Sequence, residues 1–261
     1  SLMSVLLRPW GHLHYRQRGP ETGLPVVFLN SLGTDLRMWE GVADRLPGLR
    51  TIGMDKRGHG LSATPDGDWT LDDLAGDALV LMDALGVARA VIAGCSIGGM
   101  IAQRMATLAP DRVAGLFLSN TAMKVGTDES WAARIAGVTE QGLRGLAPQI
   151  MERWFAPAFR ATAEAKAWET MLMRGDDAGY IGTCRVLAAA DLRATSPAIA
   201  CPVLFVGGSA DASTPPDLVQ ATAAAIPGAR AVILDGSGHI PAIDNPDATA
   251  RLLAEFHRGL A

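Results

Sequence analysis

Ala90-Val91-Ile92-Ala93-Gly94-Cys95-Ser96-Ile97-Gly98-Gly99 is an apolar run that ends in a Gly-x-Ser-x-Gly pattern. Ala90–Ala93 reads as a strand buried on both faces, and Ile97–Leu108 as a helix that stops before Pro110. A serine between strand and helix sits where the backbone crowds itself, and Gly94, Gly98 and Gly99 supply the small neighbours that such a turn needs. In that context the serine hydroxyl stands above the sheet, and the helix N-terminus beneath it favours developing negative charge. Ser96 is therefore the candidate nucleophile.

On both sides of this unit, strands alternate with helices. Leu13–Arg18 alternates in polarity, as a half-exposed antiparallel strand does. Pro25–Leu29, Arg50–Asp55, Ala114–Leu118, Pro202–Val206 and Ala231–Leu234 are further strand candidates. Thr70 caps a helix with Asp73 three residues on, an apolar face at Leu74, Ala78, Leu81, Met82 and Leu85, and Gly86 at its end. Pro216–Ile226 and Pro246–Leu260 read as the last two helices. This alternation predicts an α/β fold, a mostly parallel sheet covered by helices on both faces. From Thr121 to Ser196 no strand signal appears. Helices are expected there at Ser130–Val138, Leu143–Trp154, Ala161–Leu172 and Asp177–Ala189. Residues 1–120 and 197–261 are then the core, and 121–196 a helical cap. A cap inserted there lies at the carboxyl ends of the strands, where ligands bind. The competing reading is a packed subdomain whose aromatics are simply core.

Composition narrows the function. The 261 residues are 49% hydrophobic and 19% charged, with net charge −4, as in a folded chain with no basic field for nucleic acid or an anionic membrane. Cys95, Cys184 and Cys201 are an odd number and widely spaced, so neither a zinc cluster nor a disulfide framework is expected. The start, Ser1-Leu2-Met3-Ser4, has no signal pattern. Met3 reads as the natural start, with Ser1 and Leu2 added before it. No run of about 18 apolar residues is present, so no membrane span is expected. The location that follows is cytoplasmic.

A nucleophilic serine needs a base, and the base needs an orienting acid, in the chain order serine, acid, histidine for this context. Two histidines follow Ser96. His257 falls in the terminal amphipathic helix and is expected at the surface. His239, in Gly236-Ser237-Gly238-His239, follows the Ala231–Leu234 strand and is the candidate base. Asp211, in Gly207-Gly208-Ser209-Ala210-Asp211, follows the preceding strand and is the candidate acid. Asp235 competes but ends its strand, and Asp217 suits the first turn of its helix. The oxyanion hole needs two backbone N–H groups. Ile97 supplies one, and Leu32, in Asn30-Ser31-Leu32-Gly33, the other. Asp55-Lys56-Arg57-Gly58-His59-Gly60-Leu61-Ser62 reads as a structural turn, and His59 precedes the serine and is not the base.

With these residues in place, the chain resembles the α/β-hydrolase superfamily. Within it, the chain is similar to 3-oxoadipate enol-lactonases. The resembling segments are Asn30–Asp35 with Met38-Trp39, Asp55–Ser62, Gly94–Gly99, Ser119–Ala122, Glu152–Pro157 and Asp211–Pro216. Asn30 and Ser31 replace the His-Gly that usually opens the oxyanion loop. An N–H donor survives that change. Gly179-Tyr180-Ile181-Gly182 is an altered form of a family segment, and Gly238–Pro241 is closer to the broader superfamily. The resemblance implies an α/β-hydrolase fold with an eight-stranded sheet and an inserted lid.

It also implies a serine hydrolase that opens a small anionic enol-lactone to 3-oxoadipate in aromatic-compound catabolism, without metal or organic cofactor. Its partner would be a small-molecule anionic lactone or ester, with no nucleic acid and no membrane. No oligomeric state is read from the sequence. A lid cation is implied, and Arg134, in Trp131-Ala132-Ala133-Arg134, resembles the family's lid arginine; a solvent-facing role is the other reading. Trp154 packs either the lactone ring or the lid core. Alternative functions keep the triad with another substrate (an esterase, a cofactor-free perhydrolase or a carbon–carbon bond hydrolase). A further alternative is a ligand sensor without catalysis.

Overall fold

The computed structural model describes residues 3–261, so the reading of Ser1 and Leu2 as additions lies outside the described residues. Eight strands form one sheet: β1 (Ser4–Arg8), β2 (Gly11–Arg18), β3 (Val26–Leu29), β4 (Thr51–Met54), β5 (Ala90–Cys95), β6 (Val113–Ser119), β7 (Val203–Gly208) and β8 (Arg230–Leu234). Their order is β1-β2-β4-β3-β5-β6-β7-β8. Strands β1 and β2 pair antiparallel, β2 meets β4 antiparallel, and β3 to β8 run parallel. All residues of β3, β5, β6 and β7 are buried, which is why those segments read as unbroken apolar runs.

The helices are α1 (Glu40–Asp44), α2 (Leu71–Ala84), α3 (Ile97–Leu108), α4 (Asp128–Trp154), α5 (Pro157–Arg160), α6 (Ala163–Met173), α7 (Asp177–Ala189), α8 (Pro216–Ala224), α9 (Pro241–Asp244) and α10 (Pro246–Arg258). Thr70 closes a full capping box with Asp73 at the start of α2. Helices α4 to α7 fill the chain between β6 and β7. The two helices expected there first are one element, α4, broken at Gly142, whose φ of 68° no helix contains. No helix among the described residues is long and apolar enough to cross a membrane.

Chain order sets the site. From β3 the chain moves to β4 on one side and then returns to β5 on the other. The loops that leave the carboxyl ends of β3 and β5 therefore stand side by side at a topological switch point, where open α/β sheets bind ligands. Leu29 and Gly94 are register partners across this gap.

The eighth strand, β1, carries no sequence signal because Val5 and Leu7 are 43% and 81% exposed, and its inner face covers little. One expectation fails. His257 is buried, not at the surface: its Nε2 is 2.8 Å from Leu24 O, on the chain entering β3. The terminal helix packs on the sheet more deeply than its polar sequence suggests.

Candidate active site

The backbone reverses into α3 on Ser96, which has φ 57° and ψ −117°. Such a conformation in an L residue costs of order 1–3 kcal/mol and persists only where the surroundings impose it. Ser96 N–H donates to Ser119 O at 2.9 Å, and Thr121 Oγ1 donates to Ser96 O at 2.7 Å. A Cβ on Gly94 would lie 2.1 Å from Gly98 O, and one on Gly98 would lie 2.5 Å from Leu29 O. The turn therefore demands glycine at both places.

Asp211 leaves the end of β7 and His239 the end of β8. His239 Nδ1 is 2.8 Å from Asp211 Oδ2. A carboxylate only accepts, so Nδ1 carries the proton and Nε2 is left with a lone pair. The same Oδ2 accepts from Asn120 Nδ2 at 2.9 Å and Thr214 Oγ1 at 2.7 Å. Oδ1 accepts from the backbone N–H groups of Ser213 at 2.8 Å and Thr214 at 3.2 Å. Burial pushes the Asp211 carboxyl up, but the His239 charge and the bonds from His239, Asn120 and Thr214 more than reverse this. Its pKa falls from 3.8 to about 2. Asp235 is exposed and accepts from Ser209 Oγ, and Asp217 lies in the first turn of α8, so neither reaches His239.

Leu32 follows β3 and Ile97 is the first residue of α3. Neither backbone N–H donates to a protein group among the described residues. Ile97 adjoins Ser96 in the chain, and Leu32 lines the same cavity as Ser96.

Ser96 and His239 line one cavity of about 350 Å³. No hydrogen bond joins them, as is frequent when no substrate is bound. Helices α4 and α7 supply the facing wall: Trp131, Arg134, Gln149, Arg153, Trp154 and Tyr180. Both arginines are cationic, and the lining contains no acidic side chain. Arg134 faces this cavity rather than open solvent. Its Nη1 donates to Tyr180 Oη at 2.9 Å, and its guanidinium lies 5.7 Å from the Trp131 ring centre. Burial pushes the Tyr180 hydroxyl up to about 12, against the opposing charge of Arg134, so it keeps its proton. Trp154 lies at the edge between the packed helices and the cavity. It is buried against Phe155, lines the cavity, and accepts the His239 backbone N–H on its carbonyl at 3.0 Å. A second cavity of about 490 Å³ lies behind the oxyanion loop and is lined by His59 and Arg174; it contains neither Ser96 nor His239. Among the described residues no three His, Cys, Asp or Glu side chains converge as a metal site would require.

Sequence reasoning passed over Asn120, Tyr180 and Arg153 as principal contributors. Asn120 is buried at φ 51°, donates to Asp211 and to Gly238 O, and receives Ser119 Oγ on Oδ1 at 2.6 Å. A polar Ser-Asn-Thr cluster immediately after a fully apolar strand was the available signal. The Asp55–Ser62 segment does form a turn, and His59 is buried with Nε2 accepting the Gly33 N–H at 2.9 Å.

A family model for the alpha/beta hydrolase fold matches residues 25–246. The chain is 34% identical over 239 residues to 3-oxoadipate enol-lactonase 2 of Acinetobacter baylyi, which covers 90% of this chain and 89% of that protein. It is 36% identical over 199 residues to 3-oxoadipate enol-lactonase 1 of the same organism, with 75% and 74% covered. The crystal structure of the enol-lactonase from Burkholderia xenovorans LB400 superposes with a TM-score of 0.93 at 35% identity, covering 97% of this chain and 99% of that one.

Proposed function

The chain belongs to the α/β-hydrolase family and is a hydrolase of ester or lactone bonds; on that premise we propose that it opens 3-oxoadipate enol-lactone to 3-oxoadipate through a Ser96 acyl-enzyme. Ser96 Oγ attacks the ring carbonyl while His239 Nε2 takes its proton. Asp211 holds the imidazole in the required tautomer and stabilises its charged form. The Leu32 and Ile97 N–H groups receive the oxyanion. As the tetrahedral adduct collapses, the ring C–O bond breaks and the proton on His239 passes to the enol oxygen. The acyl chain and the enol stay in one adduct, so nothing leaves before deacylation. Water then attacks the ester, again losing its proton to His239. The second adduct releases the carboxylate, the proton returns to Ser96, and the enol converts to the ketone.

The cap helices α4 to α7 form the lid over this chemistry. Arg134 and Arg153 hold the substrate carboxylate away from the reacting carbonyl, and the Tyr180 O–H is free to donate beside them.

The observation that carries this reading is the cavity itself. Ser96 and His239 share it with two arginines and with no acidic residue, which suits a compact substrate carrying a carboxylate. The test is a direct comparison of the enol-lactone with a panel of neutral p-nitrophenyl esters. A kcat/KM at least 100-fold higher on the lactone is expected. Equal or better turnover of neutral esters would replace the lactonase with a general esterase.

A further inference from the structure

Lys56 is one of three lysines, and its residue is 3% exposed. A buried ammonium normally has a carboxylate partner. Lys56 forms no ion pair within 4 Å among the described residues. Its Nζ is given instead to two backbone carbonyls of the loop after β3. It donates to Ser31 O, and to Asn30 O at 3.4 Å. The Lys56 backbone N–H donates to Asn30 Oδ1 at 3.1 Å, so the turn and the loop are joined at both ends of this residue. Burial drives the Lys56 pKa well below its ordinary value, against the opposing charges of Asp55 and, more weakly, Asp35. An apolar residue of the same length would fill the space without that penalty. The expense calls for a reason.

Peptide geometry supplies one. All described peptide bonds are trans, and across a trans peptide the C=O and the next N–H point in opposite directions. The Ser31 carbonyl is held on the buried side of its loop by Lys56, with Thr34 N at 3.3 Å, Thr34 Oγ1 at 3.0 Å and Asn30 Nδ2 at 3.4 Å also donating to it. The Leu32 N–H of the same peptide therefore points away from that buried side, and Leu32 lines the cavity together with Ser96. The N–H that Lys56 donates to the carbonyl also polarises the amide and strengthens its own N–H as a donor.

We propose that Lys56 is a positioning residue for the oxyanion hole, which turns the Leu32 N–H toward Ser96 and polarises it for the charge that develops in acyl transfer. This role rests on the reading of Ser96 as nucleophile.

The test separates the two. A fluorophosphonate probe on the wild-type chain should label Ser96; absence of label overturns the serine mechanism and this role with it. With label in place, Lys56→Met is assayed on p-nitrophenyl acetate, whose turnover does not depend on the natural substrate. Loss of one oxyanion donor costs about 10²–10³ in kcat, and a misaimed donor should cost at least ~10-fold with KM within about twofold. Affinity for a trifluoromethyl ketone, whose serine adduct carries an oxyanion, should weaken by the same factor. The melting temperature should stay within a few degrees. Unchanged kcat overturns the proposal. So does a fall in kcat with inhibitor affinity intact, because a misaimed oxyanion donor must weaken the oxyanion adduct as well. If Lys56→Met does not fold, Lys56→Gln is put through the same measurements, and failure of both to fold assigns Lys56 to stability instead.

Discussion

Asp211 Oδ2 lies 2.8 Å from His239 Nδ1, and the same oxygen accepts from Asn120 and Thr214. Its other oxygen accepts the backbone N–H groups of Ser213 and Thr214, so four donors hold the carboxylate besides the imidazole. An amide at this position would present N–H to Nδ1 and drive the proton to Nε2, where the base needs its lone pair. Asp211→Asn should therefore lose roughly 10³- to 10⁴-fold in kcat while keeping its fold. Asp235→Asn, exposed and bonded to Ser209, should change little. The reverse ranking in steady-state assays would move the acid to Asp235.

The depressed Asp211 carboxyl also has a consequence for stability. Its folded value of about 2 lies below its ordinary 3.8, so the folded state favours the ionised form. The resulting stabilisation is fully present above the ordinary value and is lost as pH falls from about 4 toward 2. Its size is on the order of 2 kcal/mol. Urea midpoints of wild type and Asp211→Asn should differ at pH 5 and draw together as pH falls below 4. A gap that widens in acid would mean that the carboxyl is not ionised in the folded chain.

Ser96→Ala should abolish turnover by at least ~10³-fold. Alanine tolerates φ 57° no better than serine does, so some stability loss at the turn is common to both residues and the fold should survive. Circular dichroism and melting establish the fold, and a fluorophosphonate should label wild type at Ser96 and leave the variant unlabelled. Near-normal activity in a folded Ser96→Ala would remove the serine from the mechanism.

The parts of this molecule that were legible in sequence share one property: each imposes a pattern on its own neighbours. Strands β3, β5, β6 and β7 are buried on both faces and so read as apolar runs. Ser96 needs glycines within two residues of it, and Thr70 needs Asp73. What could not be read depends on partners distant in sequence. Strand β1 pairs along one edge with β2 and covers little apolar surface. His257 is buried by a carbonyl 233 residues away. Asn120 becomes part of the acid's setting only because β6 ends beside β7, 91 residues before Asp211. The Asp55–Ser62 segment was read as a turn, which it is. That its lysine ends under the loop after β3 follows from β3 and β4 being neighbours, and no local pattern records it.

Arg134 closes the set, because the structure changes how it must be tested. It reaches the cavity that holds Ser96 and also donates to the Tyr180 hydroxyl at 2.9 Å, tying α4 to α7. Removing it would affect both substrate and lid. A guanidinium grips a carboxylate through two parallel hydrogen bonds, which lysine cannot copy. Loss of such a partner in the cavity wall should cost about 2–3 kcal/mol in kcat/KM, roughly 30- to 150-fold, for an anionic lactone. A neutral ester such as p-nitrophenyl acetate needs no cation and should lose little on Arg134→Ala. Tyr180→Phe separates the second role: it removes the hydroxyl that Arg134 holds but leaves both the cation and the ring. If Arg134 serves the substrate, Arg134→Ala discriminates between the two substrates and Tyr180→Phe does so far less. Equal losses on both substrates, reproduced by Tyr180→Phe, would make the Arg134–Tyr180 bond a lid fastening. The carboxylate would then belong to Arg153, the other cation in the cavity wall, and Arg153→Ala should show the discrimination that Arg134→Ala lacks.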